Sequence, residues 1–277
     1  MAEQLLGSGP VLLDLTGEGV AQLRLNRPEA ANAMNLPLLR ALYDGLMRCD
    51  TDPRVRAVLI TGEGRNFCAG GDVRSFAANS DNLPPHIREV TAWLNNSIAL
   101  LTQLSAPVIA AVHGVAAGGG GFGLVCAADL VIAGESARFI GPGTRIGMTP
   151  DAGTTVTLPA LVGFRKAMEI VLTNPTLSAA DALGIGLLNR VVPDDALLPE
   201  ALSLARQLAA GPQEAVAATK RLLREGAGRP LEARLAVESA TITRVVANPD
   251  VREGLASVLE RREPRFAGSS PELASGS

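Results

Sequence analysis

Hydrophobic and polar positions along the first part of the chain favour short strands that alternate with helices. Apolar runs and period-2 alternation predict strands at residues 20–25, 56–61, 107–112 and 130–133. Apolar residues spaced three and four positions apart predict helices at residues 36–48, 93–104 and 122–128. Strands and helices in this order predict an α/β fold with a layered core.

The pattern changes near residue 195. Beyond Pro193 the strand signals end, and amphipathic helices are predicted at residues 196–210, 213–224, 231–246 and 250–261. We therefore expect an α/β core over residues 1–195 and an all-helical region over residues 196–267. The last residues, 268–277, are small and polar, and they are predicted to be disordered.

The stretch from Val90 to Ala128 contains no Asp, Glu, Lys or Arg and is long enough to span a bilayer. Pro107 and the glycines between Gly114 and Gly123 interrupt it, which is typical of a strand and a loop buried in a core. The 277 residues are 47% hydrophobic, enough to bury a large core. The N-terminus lacks the basic-then-apolar order of a secretory signal. We therefore expect a globular protein that does not associate with membranes.

Charge and cysteine content exclude several other classes of protein. The net charge of −3 gives no basic field for binding nucleic acid. The cysteines Cys49, Cys68 and Cys126 form no C-x-x-C pair and only two histidines occur, so neither a disulfide framework nor a metal site is predicted. Free cysteines are typical of a reducing compartment, and we expect a cytoplasmic location.

Two glycine-rich segments follow two of the predicted strands. In residues 66–74, NFCAGGDVR, adjacent glycines allow backbone N–H groups to approach a ligand, although a plain loop before a helix explains the segment equally well. The segment from Gly114 to Gly123 opens a short helix, whose free N–H groups suit an anion or a developing oxyanion. It also matches G-x-G-x-x-G, but the short helix that follows disfavours a dinucleotide site. Cys68 is interpreted as a small buried hydrophobe rather than a nucleophile.

Several segments together resemble the crotonase superfamily, the enoyl-CoA hydratases and isomerases. The resemblance covers about residues 11–267 in one order and rests on NFCAGGDVR, PVIAAVHGVAAGGGGFGLVCAADLVIA, RIGMTPDAGTT, ALGIGLLNRVVPDDAL and REGLASVLERREPRF. It implies a spiral of repeated β-β-α units and a C-terminal helical trimerisation region, hence a homotrimer or a dimer of trimers. It also implies acyl-CoA thioester substrates, with coenzyme A as part of the substrate and no other cofactor.

The resemblance also implies an oxyanion hole made of two peptide N–H groups. One falls on Gly71; the other falls on Gly120 when the motif is aligned on Asp129, and on Gly119 when it is aligned on Gly114, because this glycine run is one residue longer than usual. Contacts to coenzyme A are implied at Arg27, Ala30, Ala69, Asp72, Val73 and Arg74. For Asp72 a hydrogen-bonding role in the loop, and for the arginines an ordinary surface role, remain alternatives.

The acidic residues depart from the hydratase pattern. The two glutamates that hold water in hydratases correspond here to Phe122 or Gly123 and to Gly143, none of which can activate water. Asp151, in TPDAGTT, matches the acid of the single-base enoyl-CoA isomerases. Moving a double bond from position 3 to position 2 needs one base, so the resemblance predicts an isomerase with Asp151 as its base. Enoyl-CoA hydration and non-catalytic acyl-CoA binding remain alternatives.

Two further interpretations of Asp151 are open. The chlorobenzoyl-CoA dehalogenases of the same superfamily also carry an aspartate here, but their tryptophan and histidine partners correspond to Gly143 and Asn95, which disfavours that activity. Asp151 could instead cap the helix that is predicted to begin near Ala152. Capping would lower the pKa of Asp151, whereas a dry apolar pocket would raise it.

Overall fold

The computed structural model describes residues 2–266 as a mixed α/β fold. The predicted tail at residues 268–277 lies outside the described residues. The strands are β1 (Glu3–Leu6), β2 (Val11–Leu15), β3 (Val20–Leu25), β4 (Ala57–Gly62), β5 (Val108–Val112), β6 (Val115–Ala117), β7 (Leu130–Gly134), β8 (Arg138–Ile140), β9 (Thr176–Ser178) and β10 (Arg190–Val192). The predicted strands correspond to β3, β4, β5 and β7 and are confirmed.

Helices make up most of the remaining chain. They are α1 (Leu36–Thr51), α2 (Val73–Ala78), α3 (Leu83–Gln103), α4 (Gly123–Ala127), α5 (Thr154–Val162), α6 (Phe164–Thr173), α7 (Ala179–Gly184), α8 (Leu197–Ala209), α9 (Gln213–Gly226), α10 (Leu231–Val245) and α11 (Pro249–Glu260). All the predicted helices occur. Helix α3 begins ten residues earlier than the pattern predicts, because its first turns are largely exposed and lack an apolar stripe.

Two sheets organise these elements. The larger, seven-stranded sheet has the order β1-β2-β3-β4-β5-β7-β10, antiparallel from β1 to β3 and parallel beyond β3. The smaller sheet has the order β6-β8-β9. Strands β4 and β5 are parallel neighbours, so the loops that follow them leave the sheet at the same edge. These loops contain the two glycine-rich segments.

The large sheet is buried on both faces. On one face, helices α1 and α3 cover a continuous apolar core that includes Leu23, Leu42 and Leu101. On the other face, Ala201, Ala205 and Ala209 let α8 approach the sheet closely. Helix α8 therefore belongs to the layered core by its packing, although the sequence pattern places it in the helical region after residue 195. The role in oligomerisation that is expected for residues 196–267 stays a prediction.

Helix α9 is attached to the core by a half-buried ion cluster around Asp129. The Asp129 carboxylate lies 2.7 Å from Nζ of Lys220 and 2.6 Å from the guanidinium of Arg224. Its Oδ2 also accepts the backbone N–H of Val108 at 2.8 Å. The Lys220 side chain is only 8% exposed, and burial lowers its pKa. The cluster holds this cation inside the protein, as buried charges require a partner.

Removing this carboxylate should destabilise the protein strongly. We expect Asp129→Ala to lower the free energy of unfolding by about 3 kcal/mol, because it leaves Lys220 buried without its anion. Urea unfolding at one fixed protein concentration measures the effect. The matched control is Glu200→Ala, which breaks the half-exposed pair with Arg190 and should cost less than about 1 kcal/mol. Equal losses in both variants would contradict the prediction.

No helix within residues 2–266 is both long enough and apolar enough to cross a membrane. The uncharged stretch from Val90 to Ala128 instead contributes the end of α3, strand β5 and the segment from β6 to α4. Most of its apolar side chains are buried in the core.

Candidate active site

An apolar cavity of about 250 Å³ lies where the two glycine-rich loops meet helix α3 and the segment between β8 and α5. Its walls are formed mainly by apolar side chains such as Met34, Val90 and Leu94. Among residues 2–266, Asp151 is the only carboxylic acid that lines the cavity and Arg145 the only cation. The cavity therefore combines one potential base with a mainly apolar wall, an arrangement suited to proton transfer at carbon.

The N–H group of Gly71 is directed by the backbone pairing of its neighbours. Met34 forms a parallel β-bridge opposite Gly71, with its N–H donating to Gly70 O at 2.7 Å and its carbonyl accepting from Asp72 N at 3.0 Å. In such a bridge the N–H and C=O of the central residue point away from the bridge partner. Within the described chain the Gly71 N–H has no acceptor, and Gly71 lines the cavity. It is therefore free to donate to a ligand.

The second group of donors comes from a π-helical turn at Gly118–Phe122 that leads into α4. Gly123 N donates to Gly118 O across five residues, so this turn holds one residue more than an α-helical turn. This accommodates the additional glycine of the run. The first N–H groups of a helix have no acceptor within it, and Gly119 and Gly120 both lie in that first turn and line the cavity.

The two glycine loops are in direct backbone contact. A Cβ atom on Gly70 would lie 2.8 Å from Ala117 O, and one on Gly118 would lie 3.3 Å from the Cα atom of Gly70. A Cβ atom on Gly120 would lie 2.7 Å from Sδ of Met34. Glycine is needed here because side chains would separate the loops, and the approach brings the Gly71 N–H next to the first turn of the π-helix. Backbone donors from both loops thus face one space.

Asp151 lies on the other side of this turn, against Gly119. A Cβ atom on Gly119 would be only 1.6 Å from Oδ1 of Asp151, so the carboxyl group occupies the space that a side chain would fill. Burial raises the pKa of Asp151. The helix-capping alternative is wrong, because α5 has Gly153 at its N-cap and no side-chain cap. The direction of the pKa shift is the one expected for a base in a dry pocket.

The raised pKa of Asp151 predicts a pH-dependent stability difference between the wild type and Asp151→Asn. Between the ordinary aspartate pKa and the raised one, the folded protein binds more protons than the unfolded chain, so Asp151 lowers stability as the pH rises through this window. Relative to wild type, the asparagine variant should therefore gain stability between about pH 4 and about pH 7. Urea unfolding at both pH values checks this, and a variant that becomes relatively less stable at the higher pH would contradict it.

The expected coenzyme A contacts divide into two groups. Ala69 and Val73 line the cavity beside Gly71. The other expected residues are outside the lining within residues 2–266: Arg27, Ala30, Asp72 and Arg74. Arg74 is exposed on α2.

Asp72 and Arg27 instead hold the loop of Gly71 in place. Oδ1 of Asp72 accepts the backbone N–H groups of Arg74 and Ser75 and thereby caps α2. Oδ2 of Asp72 pairs with the Arg27 guanidinium at 3.1 Å, and the same guanidinium donates to Ala33 O at 2.5 Å. This confirms the loop-bonding alternative for Asp72. Through this pair, Arg27 helps to hold the loop that contains Gly71 in its conformation.

The positions that correspond to catalytic side chains of the hydratases and dehalogenases hold other residue types in this chain. Phe122 is fully buried, and a Cβ atom on Gly123 would point at Ala152. Gly143 lines the cavity but has φ of 81°, a conformation that favours glycine. Asn95, which corresponds to the dehalogenase histidine, is exposed on α3. Asp151 therefore has neither the acidic partner of a hydratase nor the partners of a dehalogenase.

Asn32 is a structural residue of the site that the sequence patterns do not identify. It is fully buried with φ of 56°, and its Nδ2 donates to Glu63 O and Asn66 O at 2.9 and 2.7 Å. Its Oδ1 accepts the backbone N–H of Arg27 at 2.8 Å. Asn32 thus joins the loop after β3 to the loop after β4. The only sequence signal for this role is the residue type itself, because asparagine adopts the left-handed conformation more readily than most residues.

Cys68 precedes the loop of Gly71 and is enclosed by the core. Its side chain is fully buried, and its Sγ lies 3.2 Å from Asn32 O. Burial raises the pKa of the Cys68 thiol to about 12. A thiol that stays protonated is a poor nucleophile, so its interpretation as a buried hydrophobe is supported.

Comparisons with known proteins identify relatives of this chain. The family model for enoyl-CoA hydratase/isomerase matches residues 16–269. A Rhodobacter capsulatus protein named "Probable enoyl-CoA hydratase" is 40% identical over 91% of this chain and 95% of its own length. The 1,2-epoxyphenylacetyl-CoA isomerase of Escherichia coli is 34% identical over 93% of this chain and 98% of its own. An enoyl-CoA hydratase structure from Mycobacterium smegmatis superimposes with a TM-score of 0.87 at 34% identity, covering 94% of this chain and 99% of that one.

Proposed function

The chain belongs to the enoyl-CoA hydratase/isomerase family of acyl-CoA enzymes, and within this family we propose that it is an isomerase. Its substrate is a 3-enoyl-CoA and its product the conjugated 2-enoyl-CoA. The observation that carries the proposal is the number of acids: Asp151 is the one carboxyl group that the described residues bring to the cavity. Hydration requires a group that activates water and an acid for the α-carbon, whereas isomerisation needs a single base.

The reaction follows from the arrangement of donors and base. Asp151 removes a proton from C2, and the electron pair of the C–H bond moves into the thioester to form an enolate. The N–H of Gly71 and the first turn of the π-helix, through Gly119 or Gly120, stabilise the enolate oxygen. Protonated Asp151 then returns the proton to C4, and the double bond moves from C3–C4 to C2–C3. The proton balance is zero, so the step needs no water and no second acid.

The raised pKa of Asp151 supports this role at both steps. A carboxyl group whose pKa is raised by burial is a stronger base than an exposed one. After proton removal, the same burial favours the neutral acid until the proton is returned to carbon. The apolar wall around the group supports the proposal further, because bulk water would exchange with the proton that Asp151 holds between the two steps.

Two substrates offered side by side to the purified wild-type protein test the proposal. The absorbance of the conjugated thioester is followed with a 3-enoyl-CoA and with a 2-enoyl-CoA of equal chain length. We expect the absorbance to rise with the 3-enoyl substrate and to stay constant with the 2-enoyl substrate. A falling absorbance with the 2-enoyl substrate would identify a hydratase. Tight acyl-CoA binding without conversion of either substrate would identify a binding protein.

We also propose that this enzyme acts as a homotrimer or a dimer of trimers. The support is the apolar surface of the C-terminal helices, where Leu235, Ile242, Leu255 and Val258 are all more than half exposed in the single chain. Exposed apolar surface of this extent is typical of an interface. Sedimentation equilibrium of the purified chain should give three or six copies, and a stable monomer would contradict the prediction.

We also propose a cytoplasmic location and no cofactor apart from the coenzyme A of the substrate. Cys49, Cys68 and Cys126 are free and buried, which agrees with a reducing compartment. Coenzyme A enters as part of the substrate, and we place Ala69 and Val73 beside its thioester end.

A further inference from the structure

Arg145 is a cation at the rim of the cavity to which the proposed isomerisation assigns no role. It is exposed and lines the cavity, and within residues 2–266 its side chain forms no ion pair or hydrogen bond. We propose that Arg145 binds a carboxylate at the far end of the acyl chain, so that the preferred substrate is a CoA monothioester of a dicarboxylic acid. This inference names the substrate class of the proposed isomerase. Turnover of such a substrate depends on the proposed function, whereas its binding does not.

The loop that carries Arg145 is held in a defined conformation. Oγ1 of Thr144 donates to Val171 O and accepts from Nδ2 of Asn174, both at 2.5 Å. Within the loop, Met148 N donates to Gly143 O and Gly147 N to Thr144 O, both at 3.0 Å. These bonds fix the short turn at Thr144–Ile146 against the end of α6. The backbone of Arg145 is therefore held in place at the cavity by hydrogen bonds of its neighbouring residues.

The donor turn, Asp151 and the loop of Arg145 all line one cavity. Gly70 touches the start of the π-helical turn, and Gly119 in that turn touches Asp151. Arg145 precedes Asp151 by six residues in the segment between β8 and α5. This segment is tightly folded, because a Cβ atom on Gly143 would lie 3.0 Å from Met148 O and 2.8 Å from Thr149 O. Asp151 thus lies directly against the donor turn, and Arg145 lies at the exposed rim of the same cavity. A thioester held by the donors would direct its acyl chain past Asp151 towards that loop.

The chemistry of the wall favours a carboxylate there. Ile87, Val90, Leu94, Ile146 and Met148 provide apolar contacts for methylene groups, which need no charge. A guanidinium without an anion gains nothing from a purely apolar chain, whereas its planar donors match a carboxylate in two parallel hydrogen bonds. An acyl chain that is apolar along its length and charged at its end is complementary to this arrangement.

The test compares two saturated ligands of six carbons, adipoyl-CoA with a terminal carboxylate and hexanoyl-CoA without one. Their dissociation constants are measured by calorimetry at low ionic strength for wild type, Arg145→Gln and Arg145→Lys. Wild type should bind adipoyl-CoA about tenfold more tightly than hexanoyl-CoA. Arg145→Gln should abolish this preference by weakening adipoyl-CoA alone, and Arg145→Lys should retain part of it.

A matched control removes one positive charge outside the cavity. Arg165→Gln, at an exposed position on α6, should leave the preference unchanged. Equal affinities of the two ligands in wild type would overturn the proposal. Equal weakening of both ligands in Arg145→Gln would also overturn it, since Arg145 would then bind a phosphate of coenzyme A. Because these ligands do not react, the result stands even if no isomerisation is found.

Discussion

Replacing Asp151 by asparagine should lower kcat for the 3-enoyl-CoA by about 10³-fold while leaving acyl-CoA binding within a factor of about three. Asparagine has almost the shape of aspartate but cannot remove a proton from C2. The other described groups that line the cavity offer no replacement base, since the only further ionisable one is the guanidinium of Arg145. Initial rates from the conjugated-thioester absorbance give kcat, and calorimetry with a saturated acyl-CoA gives the affinity.

A control variant removes a carboxylate that has no contact with the cavity. Asp81→Asn, at an exposed position before α3, changes the net charge by the same amount and should keep full activity. If Asp151→Asn retained more than about a tenth of the wild-type kcat, another group would be the base. If both activity and binding were lost, the variant would report a collapsed site rather than a missing base.

Adding one methyl group at Gly119 should lower kcat by about 10²-fold. The methyl carbon of Gly119→Ala would lie 1.6 Å from Oδ1 of Asp151, so the carboxyl group must move away from the reacting carbons. A displacement of about 1 Å at a reacting group costs about this factor in rate. The affinity for saturated acyl-CoA should change much less, because the proposed role of the carboxyl group is to transfer a proton and not to bind the ligand.

A double-mutant cycle shows whether the effect of Gly119→Ala acts through Asp151. In the Asp151→Asn background the same substitution should cost less than about threefold, since the base is already absent. Gly184→Ala is the matched control, because a methyl group there would meet no atom within 4 Å. Additive losses in the double variant would contradict the positioning argument and point to damage of the oxyanion donors instead.

Sequence patterns predict the centre of the large sheet, strands β3, β4, β5 and β7, but they miss its strands β1, β2 and β10 and the whole small sheet. Strands β4 and β5 are apolar runs of five or six residues with buried side chains on both faces, so their composition is sufficient to identify them. Strands β6 and β9 have three residues each, too few for a periodic pattern, and they form only because tertiary contacts pair them with β8. The position of helix α8 also depends on tertiary contacts. Its alanines predict a helix, but only the folded structure shows that they pack against the large sheet.

The candidate site divides in the same way. Glycine spacing and the family resemblance predict the two donor loops, but the direction of the Gly71 N–H depends on its bridge with Met34, which no local pattern encodes. The resemblance likewise identifies Asp151, whereas its contact with Gly119 joins residues far apart in sequence. No sequence pattern assigns a role to Asn32, and the segment RIGMTPDAGTT contains Arg145 without assigning it one. Their roles follow from the hydrogen bonds and the cavity that the folded chain creates around them.

The most direct test of the central claim follows the proton that Asp151 is proposed to move. A 3-enoyl-CoA carrying deuterium at both C2 positions is converted in ordinary water, and the label in the 2-enoyl product is located by NMR. A single base that takes and returns the same proton predicts a measurable fraction of deuterium at C4 with wild type, and conversion about 10³-fold slower with Asp151→Asn. Protium alone at C4, together with undiminished conversion by Asp151→Asn, would contradict the proposal that Asp151 is the base.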